Sequence, residues 1–162
     1  MPNIWYGVGA VVAIVFLMTT IRIVKEYQRV VVFRLGRLSG VRGPGLVLLI
    51  PFWIERIERV SLRTIVDDVK PQEVMTKDNV SVQVNAVLTF RVTDPDKAIV
   101  EVEEFGFAIS EMAQTTLRSV LGRAELDDLL SERETLNKDL QEIIAKHCRN
   151  WGIDVIAMEI KH

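Results

Sequence analysis

The most distinct pattern along the chain is an apolar run near the amino terminus. Segment 4–21 contains 18 residues and no charged side chain. A helix of that length is about 27 Å long, close to the roughly 30 Å thickness of a bilayer's hydrocarbon core. Trp5 and Tyr6 lie at one end, where aromatic side chains meet the membrane–water interface. We therefore predict a single transmembrane helix, with Trp5 and Tyr6 in contact with the membrane.

Two other interpretations of this run are possible. A secretory signal peptide has a basic segment before the apolar run and a small-residue cleavage site after it. Here nothing basic precedes the run, and Thr19, Thr20 and Ile21 lead directly to Arg22. A buried core helix is the other alternative, but a soluble helix usually has charged residues on its solvent face.

A second uncharged apolar run, 46–54, is too short to cross a membrane, and its Pro51 would interrupt a helix. It fits a buried strand of a small β-domain. It fits equally a segment that lies partly among lipid headgroups. In the second case, the side chains in contact with lipid are Leu48, Leu49, Phe52 and Trp53.

The rest of the chain predicts strands followed by helices. Segment 28–35 is typical of a strand, and the glycine-rich segment 36–45 predicts a loop. Apolar and polar residues alternate over 79–93, which indicates a half-buried strand. Ser131 and Glu134 have the spacing of a capping box at the start of a helix. The predicted helices and the closing strand are 95–103, 107–121, 126–130, 131–151 and 153–161. The predicted fold class is therefore α+β, behind the membrane helix.

Charge is distributed unevenly along the chain. Residues 1–21 have none, residues 22–63 have nine basic and three acidic residues, and residues 64–162 have eleven and nineteen, which gives 0, +6 and −8 and a total of −2. This total excludes a generally basic nucleic-acid binder. Arg22, Lys25 and Arg29 follow the apolar run, so we expect them to contact anionic headgroups. The positive-inside rule then places the amino terminus outside the cell membrane and the remaining chain in the cytoplasm.

Candidate chemistry is sparse. The chain has one cysteine, Cys148, and two histidines, and it contains no metal-binding, nucleotide-binding or catalytic motif. Cys148 is most simply a small buried apolar residue. We predict no catalytic residue, no cofactor and no metal. From charge alone, we expect Glu103 or Glu104 to pair with Arg118 or Arg123 of a neighbouring subunit.

An ordered set of motifs resembles the stomatin-type proteins (slipins) of the stomatin/prohibitin/flotillin group, also called the SPFH or band 7 family. The set includes EYQRVVVFRLGR at 26–37, PQEVMTKD at 71–78, QTTLRSVLG at 114–122 and LSERE at 130–134. This resemblance implies two small α+β subdomains, a strand-rich and membrane-proximal one at 26–70 and a second at 71–162, behind an anchor at 1–25. It also implies a long coiled coil that follows in the family, whereas this chain stops at His162.

The resemblance also implies a function. Family members assemble into rings or cages on the lipid bilayer, organise membrane microdomains and modulate channels, transporters or membrane proteases, and they are not enzymes. A membrane serine protease of the NfeD type is a common prokaryotic partner. We therefore predict an oligomeric membrane scaffold. The alternative is an adaptor that regulates a single membrane protease or channel without forming a large homo-oligomer.

Overall fold

A computed structural model of the chain describes residues 3–50 and 54–161. The described contacts divide the chain into two compact units, one ending at Leu62 and the other beginning at Arg63. The fold is α+β. In chain order, the elements are α1 (Asn3–Thr20), β1 (Ile21–Val24), β2 (Gln28–Arg34), β3 (Arg37–Arg42), β4 (Gly45–Leu48), β5 (Glu55–Ser61), β6 (Ile65–Met75), β7 (Ser81–Val92), α2 (Pro95–Val100), α3 (Phe105–Leu121), α4 (Leu126–Ser131), α5 (Arg133–Cys148) and β8 (Ile153–Lys161).

The first unit contains α1 and two small antiparallel sheets, β1–β4 and β3–β2–β5. Strand β2 has a run of three buried valines at 30–32, because it is the central strand of its sheet. Val24, Val30, Val32, Val47 and Leu49 form one buried cluster, against which Ile57 packs. The β-branched side chains that predict the strands therefore also build the core of this unit.

The second unit is a three-stranded antiparallel sheet, β6–β7–β8, with helices packed on it. The alternation in β7 places Val84, Ala86, Leu88, Phe90 and Val92 inside, so the prediction of a half-buried strand is confirmed. Helix α3 packs against β6, and helix α5 packs against both α3 and β8. Their fully buried side chains, which complete the core, are Ile109, Leu117, Leu121, Leu140 and Ile144.

Helix α5 covers the outer edge of β8 with polar side chains. Arg133, Asn137 and Gln141 are spaced four residues apart and therefore lie on one face of the helix. Arg133 donates to the carbonyl of Ile160, and Asn137 Oδ1 accepts from the Ile160 N–H at 3.1 Å. Gln141 Nε2 donates to the carbonyl of Ile156 at 2.8 Å. These bonds occupy backbone groups that an edge strand otherwise leaves unpaired.

The prediction of a transmembrane helix is wrong. Within residues 3–50 and 54–161, no helix is long and apolar enough to cross a membrane. Helix α1 ends at Thr20, since the chain turns there into strand β1, which pairs with β4. The single-pass topology, with its outside amino terminus and cytoplasmic domain, is corrected by the same finding.

Three local predictions also need correction. The glycine-rich segment 36–45 is not a loop, because most of it forms strand β3, paired with β2. Among the described residues of the second apolar run, 46–50 and 54, the strand covers those within Gly45–Leu48. Ser131 does not cap α5: it ends α4 and donates to the carbonyl of Asp127 at 2.7 Å. The capping box lies one helix earlier, between Glu125 and Asp128.

Candidate membrane-contact surface

The β1–β4 ribbon exposes four aliphatic side chains on one face. Ile21 lies opposite Leu48, and Ile23 lies opposite Leu46. Residues directly opposite each other in an antiparallel pair share a face, so these four side chains are neighbours. Ile23 and Leu46 are both 75% exposed, and Leu48 is 64% exposed. The other face carries Val24 and Val47, which are buried in the core of the first unit. We call the four-residue exposed face the aliphatic ribbon.

Helix α1 leads directly into this ribbon. Its large apolar side chains from Trp5 to Met18 are exposed, and the ends of the helix differ in character. Trp5 and Tyr6 lie in the first turns, each about four-fifths exposed. At the other end, the hydroxyls of Thr19 and Thr20 donate to the carbonyl of Phe16 at 2.9 and 2.7 Å. These bonds give both hydroxyls an acceptor within the helix, so this end of α1 needs no charged residue to satisfy them. So much exposed apolar surface is uncommon on a soluble monomer and marks an interaction surface.

Three basic residues lie close to the ribbon in sequence. Arg22 is exposed on β1, and Lys25 is exposed in the turn that follows, with its Nζ 5.7 Å from the centre of the Tyr27 ring. Arg29 is half-buried, and its Nη1 donates to the carbonyls of Glu26 and Gln28 at 2.8 and 3.0 Å. Arg22 and Lys25 are therefore available to an anionic partner, whereas Arg29 also braces the turn before β2.

A carboxylate secures the chain beside the ribbon. The Glu55 side chain is completely shielded from solvent and accepts from Arg34 at 2.8 Å and from the Ile50 N–H at 2.9 Å. Arg42 lies 3.7 Å from the same carboxylate. The Ile50 N–H and the two guanidinium groups stabilise the charged form, so the pKa of Glu55 is lowered from its ordinary value. The carboxylate therefore joins the segment after β4 to the sheet of β2, β3 and β5.

The predicted membrane-contact residues do not all lie on the exposed surface. Trp5, Tyr6, Arg22, Lys25 and Leu48 are exposed. Leu49 points the other way: it is 8% exposed and belongs to the buried cluster of the first unit. Phe52 and Trp53 lie outside the described residues. Sequence reasoning missed Ile21, Ile23 and Leu46, although the apolar alternation around Arg22 was a usable signal.

The predicted oligomer contacts do not form one group. Glu103 and Glu104 are exposed just before α3. Arg118 donates to Gln72 Oε1 at 2.6 Å within the same chain. The Gln72 amide in turn donates to Gln114 Oε1 at 3.1 Å. Gln72 is 7% exposed at the point where the β6–β7 register shifts, so Arg118 satisfies a buried polar group.

Arg123 lies elsewhere, in a groove formed by α3, α4 and α5, together with Asp128, Glu132, Asp139 and Glu142. Glu103 and Glu104 do not line that groove. The predicted acidic–basic pairs between subunits remain a prediction, and the arrangement of Arg118 gives it a competing intramolecular partner.

The thiol of Cys148 is the plainest candidate for a reactive side chain in this sequence. It is fully buried on α5, and burial raises the pKa of its thiol to about 11. A thiol of this kind is a poor nucleophile, because the thiolate is the reactive form. Across residues 3–50 and 54–161, no cluster of three or more histidine, cysteine, aspartate or glutamate side chains could hold a metal ion.

Two α+β units, with an exposed aliphatic ribbon on the first, agree with the SPFH class that the sequence motifs predict. The chain belongs to the SPFH domain / Band 7 family, whose model matches residues 22–162. The predicted resemblance to stomatin-type members is thereby confirmed.

Proteins of archaea and animals have sequences similar to this one. A stomatin homolog of Pyrococcus horikoshii is 56% identical over 91% of this chain and 55% of its own length. An uncharacterized protein of Archaeoglobus fulgidus is 55% identical over 97% of this chain and 63% of its own length. Stomatin-2 of Caenorhabditis elegans is 42% identical over 86% of this chain and 38% of its own length. The chain thus spans between about a third and two thirds of these relatives.

Proposed function

We propose that this chain is the SPFH part of a non-enzymatic, membrane-associated scaffold. In this role, many copies assemble on a lipid bilayer, organise the membrane around them and modulate membrane proteins such as proteases or channels. Membership of a family that generally acts in this way supports the proposal. The single observation that carries it is the aliphatic ribbon; the exposed Lys25 follows β1, and the exposed Arg22 lies within β1 on the opposite face of the strand. Apolar side chains beside basic residues are the combination that binds anionic lipid surfaces.

The proposal is tested by sedimentation of the protein with vesicles. We expect the chain to bind vesicles that contain anionic lipid and to bind less well to neutral ones, because Arg22 and Lys25 add electrostatic attraction. Ile23→Asp with Leu46→Asp places two charges on the ribbon, and we expect at least a tenfold loss of vesicle binding. Val66→Asp is the matched control, since Val66 is 66% exposed in the second unit.

Imaging of the vesicle-bound protein then separates a scaffold from an adaptor. Rings or arrays of identical subunits support the scaffold. Binding of single copies, together with a defined complex with one NfeD-type protease or one channel, supports the adaptor instead. If the ribbon variant binds vesicles as tightly as the control does, the membrane part of the proposal is wrong.

A further inference from the structure

The hairpin between β2 and β3 has an unusual residue at its tip. The turn residues Leu35 and Gly36 both have positive φ, at 50° and 80°, between the paired residues Arg34 and Arg37. Two-residue hairpin turns of this kind favour Asn-Gly or Asp-Gly, because a branched apolar residue is strained in the left-handed region. Leu35 is nevertheless there, and its side chain is 78% exposed. Burial within this chain therefore does not compensate for the strain.

The tip is held rigidly. The Leu35 N–H donates to the carbonyl of Ile54 at 2.8 Å. Arg34 is bound to the shielded carboxylate of Glu55 at 2.8 Å, and about half of its side chain remains exposed. Arg37 is exposed and has no ion-pair partner among the described residues. The result is a fixed apolar knob, Leu35, with a basic residue on each side.

The second unit contains a groove with the complementary character. It lies between α3, α4 and α5 and has a volume of about 500 Å³. Val120, Leu136 and Ile143 supply its apolar lining. Arg123 and Asp128 also line it, with opposite charges, and three further carboxylates come from Glu132, Asp139 and Glu142. None of these three carboxylates is part of an ion pair within residues 3–50 and 54–161. An apolar floor beside unpaired carboxylates suits an apolar side chain flanked by basic ones.

The charges of the two units favour a contact between unlike units. The first unit has eight basic and three acidic residues, a net charge of +5, and the second has twelve and nineteen, a net charge of −7. Contact between two copies of the same unit brings like charges together, whereas contact between unlike units brings opposite charges together. A contact of unlike surfaces is heterologous, and its repetition closes a ring when the rotation allows.

We propose that the Leu35 hairpin of one copy docks in the α3–α4–α5 groove of a second copy. Leu35 packs on Leu136 and Ile143, while Arg34 and Arg37 face the carboxylates of Glu132, Asp139 and Glu142. The occupant is a second copy, because the chain itself supplies both complementary surfaces. A tip of this size buries less area than a stable dimer interface does, so it fixes the register between neighbours within a larger assembly. This inference rests on the proposed function, since it names the contact that orders the scaffold.

Cross-linking between two differently marked chains tests the contact directly. Full-length Leu35→Cys is mixed with Ile143→Cys on vesicles that contain anionic lipid, and the mixture is treated with a short bis-maleimide. The native Cys148 is buried, so it does not compete. We expect a covalent heterodimer. The control mixture, Leu35→Cys with Val66→Cys, should give at most a tenth as much. Equal yields in the two mixtures overturn the inference.

A second variant removes the knob without weakening the fold. Leu35→Asn creates the preferred Asn-Gly turn, so its thermal midpoint should equal or exceed that of the unmodified chain. We expect the concentration for half-assembly, measured by mass photometry, to rise at least tenfold. Arg37→Glu should weaken assembly similarly, and Arg37→Glu combined with Glu142→Arg should restore at least part of it.

The outcomes also separate this inference from the proposed function. If assemblies persist in Leu35→Asn and no 35–143 cross-link forms, the scaffold stands and the docking contact is wrong. If the unmodified chain forms no assembly on vesicles, the scaffold itself is wrong. If the groove instead binds a basic segment of a client protein, the docking of a second copy is wrong.

Discussion

Gly152 allows the sharpest test of how the second unit is built. It follows a 3-10 turn, Arg149–Trp151, and has a φ of 67°, in the left-handed region that glycine adopts readily. Its carbonyl accepts from the Thr93 and Asp94 N–H groups, each at 2.9 Å, and from the Thr93 hydroxyl at 2.8 Å. One peptide group therefore connects the end of β7 to the start of β8.

The change Gly152→Ala introduces two separate penalties. A left-handed conformation costs a residue with a Cβ about 1–2 kcal/mol. The added Cβ would lie 2.5 Å from Asp94 Cβ and 2.7 Å from the Asp94 carbonyl oxygen, so backbone must move. Overpacking of this kind typically costs about 1–3 kcal/mol. We expect a total destabilisation of about 2–5 kcal/mol, which for a unit of roughly 100 residues lowers Tm by about 10 °C or more.

The assay is urea and thermal unfolding of the full chain, followed by far-ultraviolet circular dichroism. Gly106→Ala is the matched control, because Gly106 lies in α3 and a Cβ there meets nothing within 4 Å. Ala is the better helix former, so this control should raise stability by up to about 1 kcal/mol. If the free energy of unfolding of Gly152→Ala lies within about 0.5 kcal/mol of that of the unmodified chain, the packing argument is refuted.

Three further predictions concern polar and titratable groups. Arg118→Ala leaves the buried Gln72 Oε1 without its donor, so the free energy of unfolding in urea should fall by about 1–3 kcal/mol; an unchanged value contradicts the role of this bond. The lowered pKa of Glu55 means that its ionised form stabilises the fold above the ordinary carboxyl pKa and that this contribution is lost as pH falls through the lowered value. The stability difference between the unmodified chain and Glu55→Gln should therefore be larger at neutral pH than at about pH 3, and a pH-independent difference argues against it. Cys148, with a pKa of about 11 and full burial, should react with a thiol reagent only after unfolding; rapid reaction of the native protein at neutral pH contradicts its burial.

Strong periodicity in the sequence predicts the second unit well. Strand β7 follows from its alternation, and α3 and β8 follow from their apolar spacing and from Gly152. In these elements, local pattern and long-range packing agree, so the pattern alone suffices.

The first unit is harder to predict, because its structure depends on pairing between distant segments. The glycines of segment 36–45 suggest a loop, but β2 provides a partner strand, and Gly40 lies where the β2–β3 register shifts. The aliphatic ribbon follows from the pairing of Ile21–Val24 with Gly45–Leu48, which no local pattern specifies. Leu49 follows this ladder, and its N–H donates to the Thr20 carbonyl at 2.8 Å, so its burial also depends on contacts that no local pattern specifies.

The polar side chains that α5 places along β8 have a consequence for crowded assemblies. An uncovered edge strand can template addition of another chain, which is the first step toward amyloid-like fibrils. In an array that concentrates many copies, such recruitment would compete with ordered assembly. Arg133, Asn137 and Gln141 hold the outer backbone groups of β8 in hydrogen bonds that the chain makes with itself. This arrangement prevents the sheet from adding a strand of another copy at β8, so contacts between copies on that side would be made by side chains.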